Sequence, residues 1–508
     1  MIPMNLYEKL TEYCASDAYP FHMPGHKRRA CSMQDPFSFD ITEIDGFDNL
    51  HHAEGILKDA QERAARLYHS SETHFLVNGS TAGILSAILS CVPEGGLLLM
   101  ARNSHRSAYN AASLRDIRTA YLYPGKALSP ALSSCSSCAD SRTGSCEDIN
   151  GPIDPADVEK ALSDSGQELP SAVFLTSPTY DGVVSDVEAI ARIVHRYRIP
   201  LIVDEAHGAH FGMHPAFPKS SVTLGADIVI HSLHKTLPSL TQTALVHVNG
   251  DLVDRRKLRL QLSVLQTSSP SYVLMASIDS CICQLAEHGG ELFEDYIRIL
   301  CSFREQARFE HIELLQTDDP SRILLKPRNM SARKLYEILR GRYHLQPEML
   351  ARSYVLMLTS VSDSREGFDR LLQALREIDE LPPLSCQELR PDKSFVPEDI
   401  RSTAGIIHTV CGDAAALPAG RPVIRIPVSR ALNSPQGRIA FHEAAGCISA
   451  EYLYLYPPGV PLLAPGEEIT PSVIRHVREL AAAGYELHGT GDCTQDTVRI
   501  IKEEAHGL

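Results

Sequence analysis

Residues 171–207 read SAVFLTSPTYDGVVSDVEAIARIVHRYRIPLIVDEAH. Two short apolar runs, SAVFLTSP and PLIVDEAH, flank DVEAIARIVHRYR, where Val187, Ile190, Ala191 and Val194 recur at helical spacing. A short, wholly apolar run reads as a strand buried on both faces. A helix between two such runs brings the chain back so that the second strand lies parallel to the first. Asp204 comes where the second strand ends, and the first runs into a loop. Ligands of such sheets bind along that edge.

The alternation continues outward. Upstream, Ala53–His69 has a helical pattern, HFLVN is a strand ending at Gly79, and STAGILSAILSCV is a helix; LLLMAR (strand) and SHRSAYNAASL (helix) repeat it. Downstream, ADIVIHS and TALVHV are further strands. The predicted fold class is α/β, with a mostly parallel sheet covered on both faces across residues 51–275. Residues 1–50 read as an irregular arm. Helices in LFEDYIRILCSFREQARF, RKLYEILRGRYH and SREGFDRLLQALREIDEL, with YVLMLTSV as a strand, predict a smaller α+β domain at 276–380. A Pro-rich, polar linker at 381–400 then leads to a last α+β domain at 401–508. No internal repeat is visible.

Composition narrows the function. The chain has 508 residues, 44% hydrophobic and 22% charged, which excludes a mainly disordered protein. Its 48 basic and 63 acidic residues give a formal charge of −15, opposite to the basic face a nucleic-acid binder needs. No apolar run approaches the roughly 20 residues needed to span a bilayer. MIPMNLYEKLTEYC lacks the basic start and apolar core of a signal peptide. The 13 scattered cysteines then read as reduced thiols, and the expected location is cytoplasmic. Cys135 and Cys138 have half-zinc-site spacing, with Cys146 nearby, but no fourth ligand is visible; residues 133–148 read as a surface insertion and no metal is assigned.

The chemistry gathers at strand ends. In HSLHKTLPSLTQTALVHV, Lys235 lies among Ser232, His234 and Thr236. A single lysine is ordinarily a solvated surface charge. Partly removed from water, its pKa falls and it becomes an amine that can form a Schiff base. Asp204 ends a buried strand; such an acid is often a cap, and alternatively a carboxylate aimed at a cationic cofactor atom such as the ring nitrogen of pyridoxal phosphate. The DEAH box containing it also occurs in helicases, but these need G-x-x-x-x-G-K-[ST], and the only Gly-Lys pair, Gly125-Lys126, lacks that context. In NGSTAG, Ser80 and Thr81 open a helix after a turn, either as an ordinary cap or as an anion site. His105 follows another strand; it is structural, or a ring set against a flat cofactor.

Taken together, FHMPGHK, LHHAEG, FLVNGSTAG, NSHRSA, SPTYDGVVSD, VDEAHGAH, HSLHKTL and YPPGVPLLAPGE span residues 20–470 and resemble the ornithine/lysine/arginine decarboxylases. These are pyridoxal-phosphate enzymes of the aspartate-aminotransferase fold (fold type I). The resemblance implies Lys235 as the Schiff-base lysine, Asp204 as the partner of the pyridinium nitrogen, and His105 stacked on the ring. It implies Ser80, Thr81, Ser232 and His234 around the phosphate, Thr179 near the ring hydroxyl, and His207 beside the ring. Glu467, in the last domain, is the candidate for the substrate's distal cation. The implied reaction is decarboxylation of arginine, lysine or ornithine by a homodimer or higher homo-oligomer, with GHK and LHHAEG reaching the partner's site. An aminotransferase or eliminating lyase of the same fold, and a non-catalytic regulatory homologue, are the rivals. Larger family members carry a response-regulator-like domain before the shared motifs; here the motifs begin near residue 20, as in the shorter branch. Leu455 stands where a Pro is expected.

Overall fold

The computed structural model describes residues 13, 15–28, 35–125, 149–164, 168–382, 422–455, 459–482, 487–489 and 496–502. The segment at 133–148, with its three cysteines, and nearly all of the 381–400 linker lie outside the described residues.

The arm contributes one strand, β1 (Tyr19–Phe21). A seven-stranded sheet follows: β2 (Glu72–Leu76), β3 (Leu97–Ala101), β4 (Arg118–Leu122), β5 (Ala172–Thr176), β6 (Leu201–Asp204), β7 (Ile228–His231) and β8 (Ala244–Val248). Their spatial order is β2-β8-β7-β6-β5-β3-β4. Only β8 runs antiparallel to its neighbours, so the other six strands all end at one edge.

Period-two alternation divides β5 between two cores. Ala172 and Phe174 join one cluster, packed with helices 79–91, 106–114 and 255–265; Val173 and Leu175 join the other, with helices 155–163 and 187–196. Helix 187–196 buries Val187, Ile190, Ala191 and Val194, and the Asp186 side chain accepts from the Ala189 N–H at its start. Fully burying each Val or Ile is worth about 1.5–3 kcal/mol. A charge at Ile190 would break this face.

The long helix 272–306 crosses the expected boundary at 275 and shares one core with helices 56–68 and 365–379 and with the arm's Phe21. The small domain is an antiparallel sheet of β9 (Ile312–Leu315), β10 (Arg322–Pro327), β12 (Met349–Leu350) and β13 (Val355–Leu358), in the order β12-β13-β10-β9. Just before β12 lies β11 (Leu345–Pro347), which pairs with β1 in parallel. The arm is therefore not simply irregular: its strand is completed by residues more than 320 positions away.

The last unit pairs β14 (Gln436–Ala440) with β18 (Thr497–Ile501) and places β15 (Leu453–Leu455) between β16 (Pro461–Leu463) and β17 (Leu487–Gly489). It has its own apolar core, which includes Phe441, Leu463 and Ile469. Val428, Tyr452 and Ala464 instead join the large domain's core, which docks the two units together.

Candidate active site

The edge where six strands end collects the polar residues. β6 ends in Asp204, and β7, its parallel neighbour, leads through Ser232 into a single helical turn, Leu233–Thr236, that carries Lys235. His207 follows β6, and its Nε2 lies 3.0 Å from Lys235 Nζ. Burial is the first cause lowering the pKa of the Lys235 ammonium, with the Asp204 carboxylate opposing it. Burial raises the Asp204 carboxyl, and the Lys235 charge opposes that shift. Burial, then the Lys235 charge, holds His207 well below its usual range, so its imidazole is neutral. Lys235 hydrogen-bonds His207, and among the described residues no ion pair joins it to Asp204.

His105 caps helix 106–114, with Nδ1 2.8 Å from Ser107 Oγ. Burial, then the charges of Lys235 and Arg106, push its pKa down to about 4. A neutral ring in the field of Lys235 suits stacking on a flat, charged partner.

Several atoms here want a partner. Ser232 Oγ, Thr236 Oγ1 and His207 Nδ1 are buried and make no hydrogen bond. Such groups cost free energy unless something meets them. Helix 79–91 opens with Gly79 at φ +72° and no side-chain cap from Asn78, with half-buried Ser80 and exposed Thr81 in its first turn. Its N–H groups and hydroxyls suit an anion. His234 Nδ1 donates to the Thr243 carbonyl at 3.0 Å, and burial pushes this histidine to about 4; a phosphate at its free Nε2 would favour the charged ring. An amine, a carboxylate for a ring nitrogen, a neutral ring and an anion cradle match the donor set pyridoxal phosphate requires.

Thr179 lies at the same edge, buried, and its Oγ1 accepts the Val183 N–H at 3.1 Å. Glu467 lies at the junction of the last unit with the large domain, paired with a buried arginine. It is 1% exposed, and its Oε2 lies 3.0 Å from Arg102 Nη2 and accepts the Ala464 N–H at 2.9 Å. Arg102 is itself fully buried and also donates to the Tyr109 hydroxyl and the Pro461 carbonyl. One oxygen of this carboxylate is thus matched by a guanidinium, while Oε1 is buried and makes no hydrogen bond. The GHK segment makes a contact within its own chain. Gly25 N–H donates to the His234 carbonyl at 2.7 Å, so this segment packs on its own chain's lysine turn. A Cβ at Gly25 would stand 2.8 Å from the Leu237 nitrogen, so only glycine fits.

Sequence reading missed four neighbours. Lys27 is buried and donates to the carbonyls of Pro20, His22 and Leu358. Arg322, fully buried, donates to the His207 carbonyl at 2.8 Å. The Tyr180 ring packs on His207 at 4.6 Å, and its hydroxyl bonds Glu348. A charge inside the apolar run SRILLKP was the available signal for Arg322; Lys27 and Tyr180 sat unremarked in quoted motifs, and Glu348 had no signal.

A mostly parallel sheet with an activated lysine at its carboxyl edge defines a large α/β enzyme, and the comparisons make it a decarboxylase. The family model "Orn/Lys/Arg decarboxylase, major domain" matches residues 4–349, and its C-terminal domain matches 428–499. The arginine decarboxylase of Bacillus anthracis is 28% identical, covering 98% of this chain and 97% of its own. That of Halalkalibacterium halodurans is 29% identical over 98% and 97%. The lysine decarboxylase structure from Francisella novicida shares the fold with TM-score 0.73 at 18% identity, covering 97% of this chain and 80% of its own. The chain belongs to the Orn/Lys/Arg decarboxylase family. No helix among the described residues is long and apolar enough to cross a membrane.

Proposed function

We propose that this enzyme decarboxylates arginine to agmatine with pyridoxal phosphate as cofactor. The observation that carries the reading is the pair of adjacent strand ends: Asp204 ends β6 and Lys235 follows β7, each acting on the other's charge without an ion pair, beside the unpartnered Ser232 hydroxyl. The choice of arginine rests on the names of full-length relatives.

Bound there, pyridoxal phosphate supplies an electron sink for the Cα–carboxylate bond that breaks. Lys235 would hold the aldehyde carbon until the substrate amine replaces it. Asp204 would keep a proton on the ring nitrogen. His105 would fix the ring plane. The first turn of helix 79–91, with Ser80 and Thr81, and Ser232 with His234 would hold the phosphate. Thr179 would stand by the ring hydroxyl. His207, whose Nε2 lies 3.0 Å from Lys235 Nζ, would exchange a proton with that amine when Cα is reprotonated. Homo-oligomeric assembly belongs to the same reading and rests on the family resemblance.

The test is direct. Purified protein with cofactor is given arginine, lysine and ornithine, and carbon dioxide and the amine are identified. Agmatine from arginine in clear preference supports the proposal. Cadaverine or putrescine in preference overturns the choice of arginine, and no carbon dioxide from any of the three overturns the reaction.

A further inference from the structure

The small domain holds His207 from behind. Arg322, the first residue of β10, is fully buried, and its Nη2 donates to the His207 carbonyl at 2.8 Å. His207 Nε2 in turn lies 3.0 Å from Lys235 Nζ. A single residue thus stands between this guanidinium and the reacting amine. Arg322 is itself tightly fixed. Asp319 Oδ2 lies 3.5 Å from its Nη2, and its Nη1 donates to Ser321 Oγ at 3.2 Å. Asp319 Oδ1 accepts the Ser321 N–H and hydroxyl and lies 3.2 Å from His210 Nε2. Asp319 N–H donates to the Gly182 carbonyl at 3.0 Å, and a Cβ at Gly182 would stand 2.8 Å from Arg322 Cγ. Residues 319–322 therefore clamp two turns of the large domain, SPTYDG and DEAHGAH.

Packing alone does not call for charge here. A well-packed apolar pair of the same volume would brace the turns as firmly without burying two ions. A guanidinium, unlike a lysine or a histidine, keeps its charge in any surroundings. That charge reaches the site. Burial comes first in lowering the proton affinity of Lys235, Asp204 and Glu348 oppose it, and the Arg322 charge adds to it. For His207, burial again comes first, followed by Lys235, Arg322, His234 and His105. The Tyr180 ring closes the remaining side of the imidazole at 4.6 Å. Geometry and field act together: one bond fixes where His207 stands, and one fixed charge acts on both partners of the His207–Lys235 contact.

We propose that Arg322 is a positioning residue for the reaction: reaching in from the small domain, it fixes His207 beside Lys235, and its charge keeps that pair from taking up a further proton. This rests on the reading of His207 as the proton partner of Lys235 and names the residue that sets it up. The lysine site is then complete only when the small domain is seated on the large one.

The experiment compares wild type with Arg322→Gln and Arg322→Lys. Competitive labelling with acetic anhydride, read at Lys235 by peptide mapping, gives the pKa of that amine in the full-length chain freed of cofactor. The pH profile of kcat is measured on the holoenzyme with whichever basic amino acid the wild type decarboxylates. Arg322→Gln keeps a donor for the His207 carbonyl and removes the charge. We expect the Lys235 pKa to rise by about one unit. The acidic limb of kcat should move to higher pH by a similar amount, because His207 then takes up a proton sooner, and KM should change by about twofold or less. Arg322→Lys restores the charge and should bring both readings back close to wild type. The double variant Asp319→Asn/Arg322→Gln leaves no carboxylate stranded; it serves if Arg322→Gln does not fold, with the same rise expected. An unchanged Lys235 pKa, an unmoved limb in the folded variants, or an equal rise in Arg322→Lys overturns the inference and leaves the decarboxylase reading standing. If the wild type releases carbon dioxide from none of the basic amino acids while the Lys235 pKa still rises in Arg322→Gln, the decarboxylase reading falls and the action of Arg322 on Lys235 stands.

Discussion

Two buried pairs of opposite charge behave in opposite ways. At the junction with the last unit, Arg102 and Glu467 touch at 3.0 Å, sealed by Tyr109, Pro461 and Leu462. At the strand ends of the central sheet, Lys235 and Asp204 sense each other's charge, yet the hydrogen bond of Lys235 goes to His207. Where the charges meet, they hold two parts of the chain together. Where they stand apart, beside the unpartnered Ser232 and Thr236 hydroxyls, they would hold the cofactor of the proposed reaction.

The contrast breaks first at Lys235. Lys235→Ala should lower turnover by about 10⁴-fold or more, and borohydride treatment followed by peptide mapping should find no pyridoxyl adduct. Retention of both turnover and adduct would remove the distinction between the pairs.

Next in size is the junction. Arg102→Met should destabilise the protein by about 3–5 kcal/mol, because Glu467 is left buried and alone. The double variant Arg102→Met/Glu467→Met should recover much of that loss. Thermal melts of the two single variants and the double variant give the coupling. A double variant no better than the sum of its parts would mean that the junction is not a matched pair.

Asp204→Asn is nearly isosteric and removes only the charge. It should cut kcat by about 10²–10³-fold while melting close to the wild type. A large loss of stability with unchanged kcat would move Asp204 into the same category as Glu467.

The smallest effect is a pH dependence. His105 has its pKa held near 4 by burial against an ordinary 6.5, so it folds neutral. The unfolded chain binds the proton more readily, and stability falls as pH drops from about 6.5 to about 4, by at most about 3 kcal/mol. Melting temperatures across that window should fall less steeply in His105→Gln. Equal slopes would show that His105 titrates normally.

Much of this arrangement was legible in the sequence, because it is local. β5, β6 and β7 are unbroken apolar runs, and Asp204, His207 and Lys235 follow them directly. β4, RTAYL, passed unnoticed: it is an edge strand with a mixed pattern and only Leu122 buried. The destination of Glu467 was illegible for a different reason. Its partner Arg102 lies 365 residues away, and nothing in YPPGVPLLAPGE tells a carboxylate facing a substrate from one facing a guanidinium. The role of the arm was hidden likewise, since three residues of β1 make a strand only beside β11.

That arm sets an order of events. Residues 20–28 leave the ribosome well before their partners, since Lys27 is held by the Leu358 carbonyl and Gly25 by the Ser360 hydroxyl. At about 5–20 residues per second, this segment waits roughly 20–70 s for those partners to be synthesised. The turn carrying Lys235 emerges in that interval and stays uncovered on that side. During synthesis the lysine turn therefore lacks this contact until the small domain is complete.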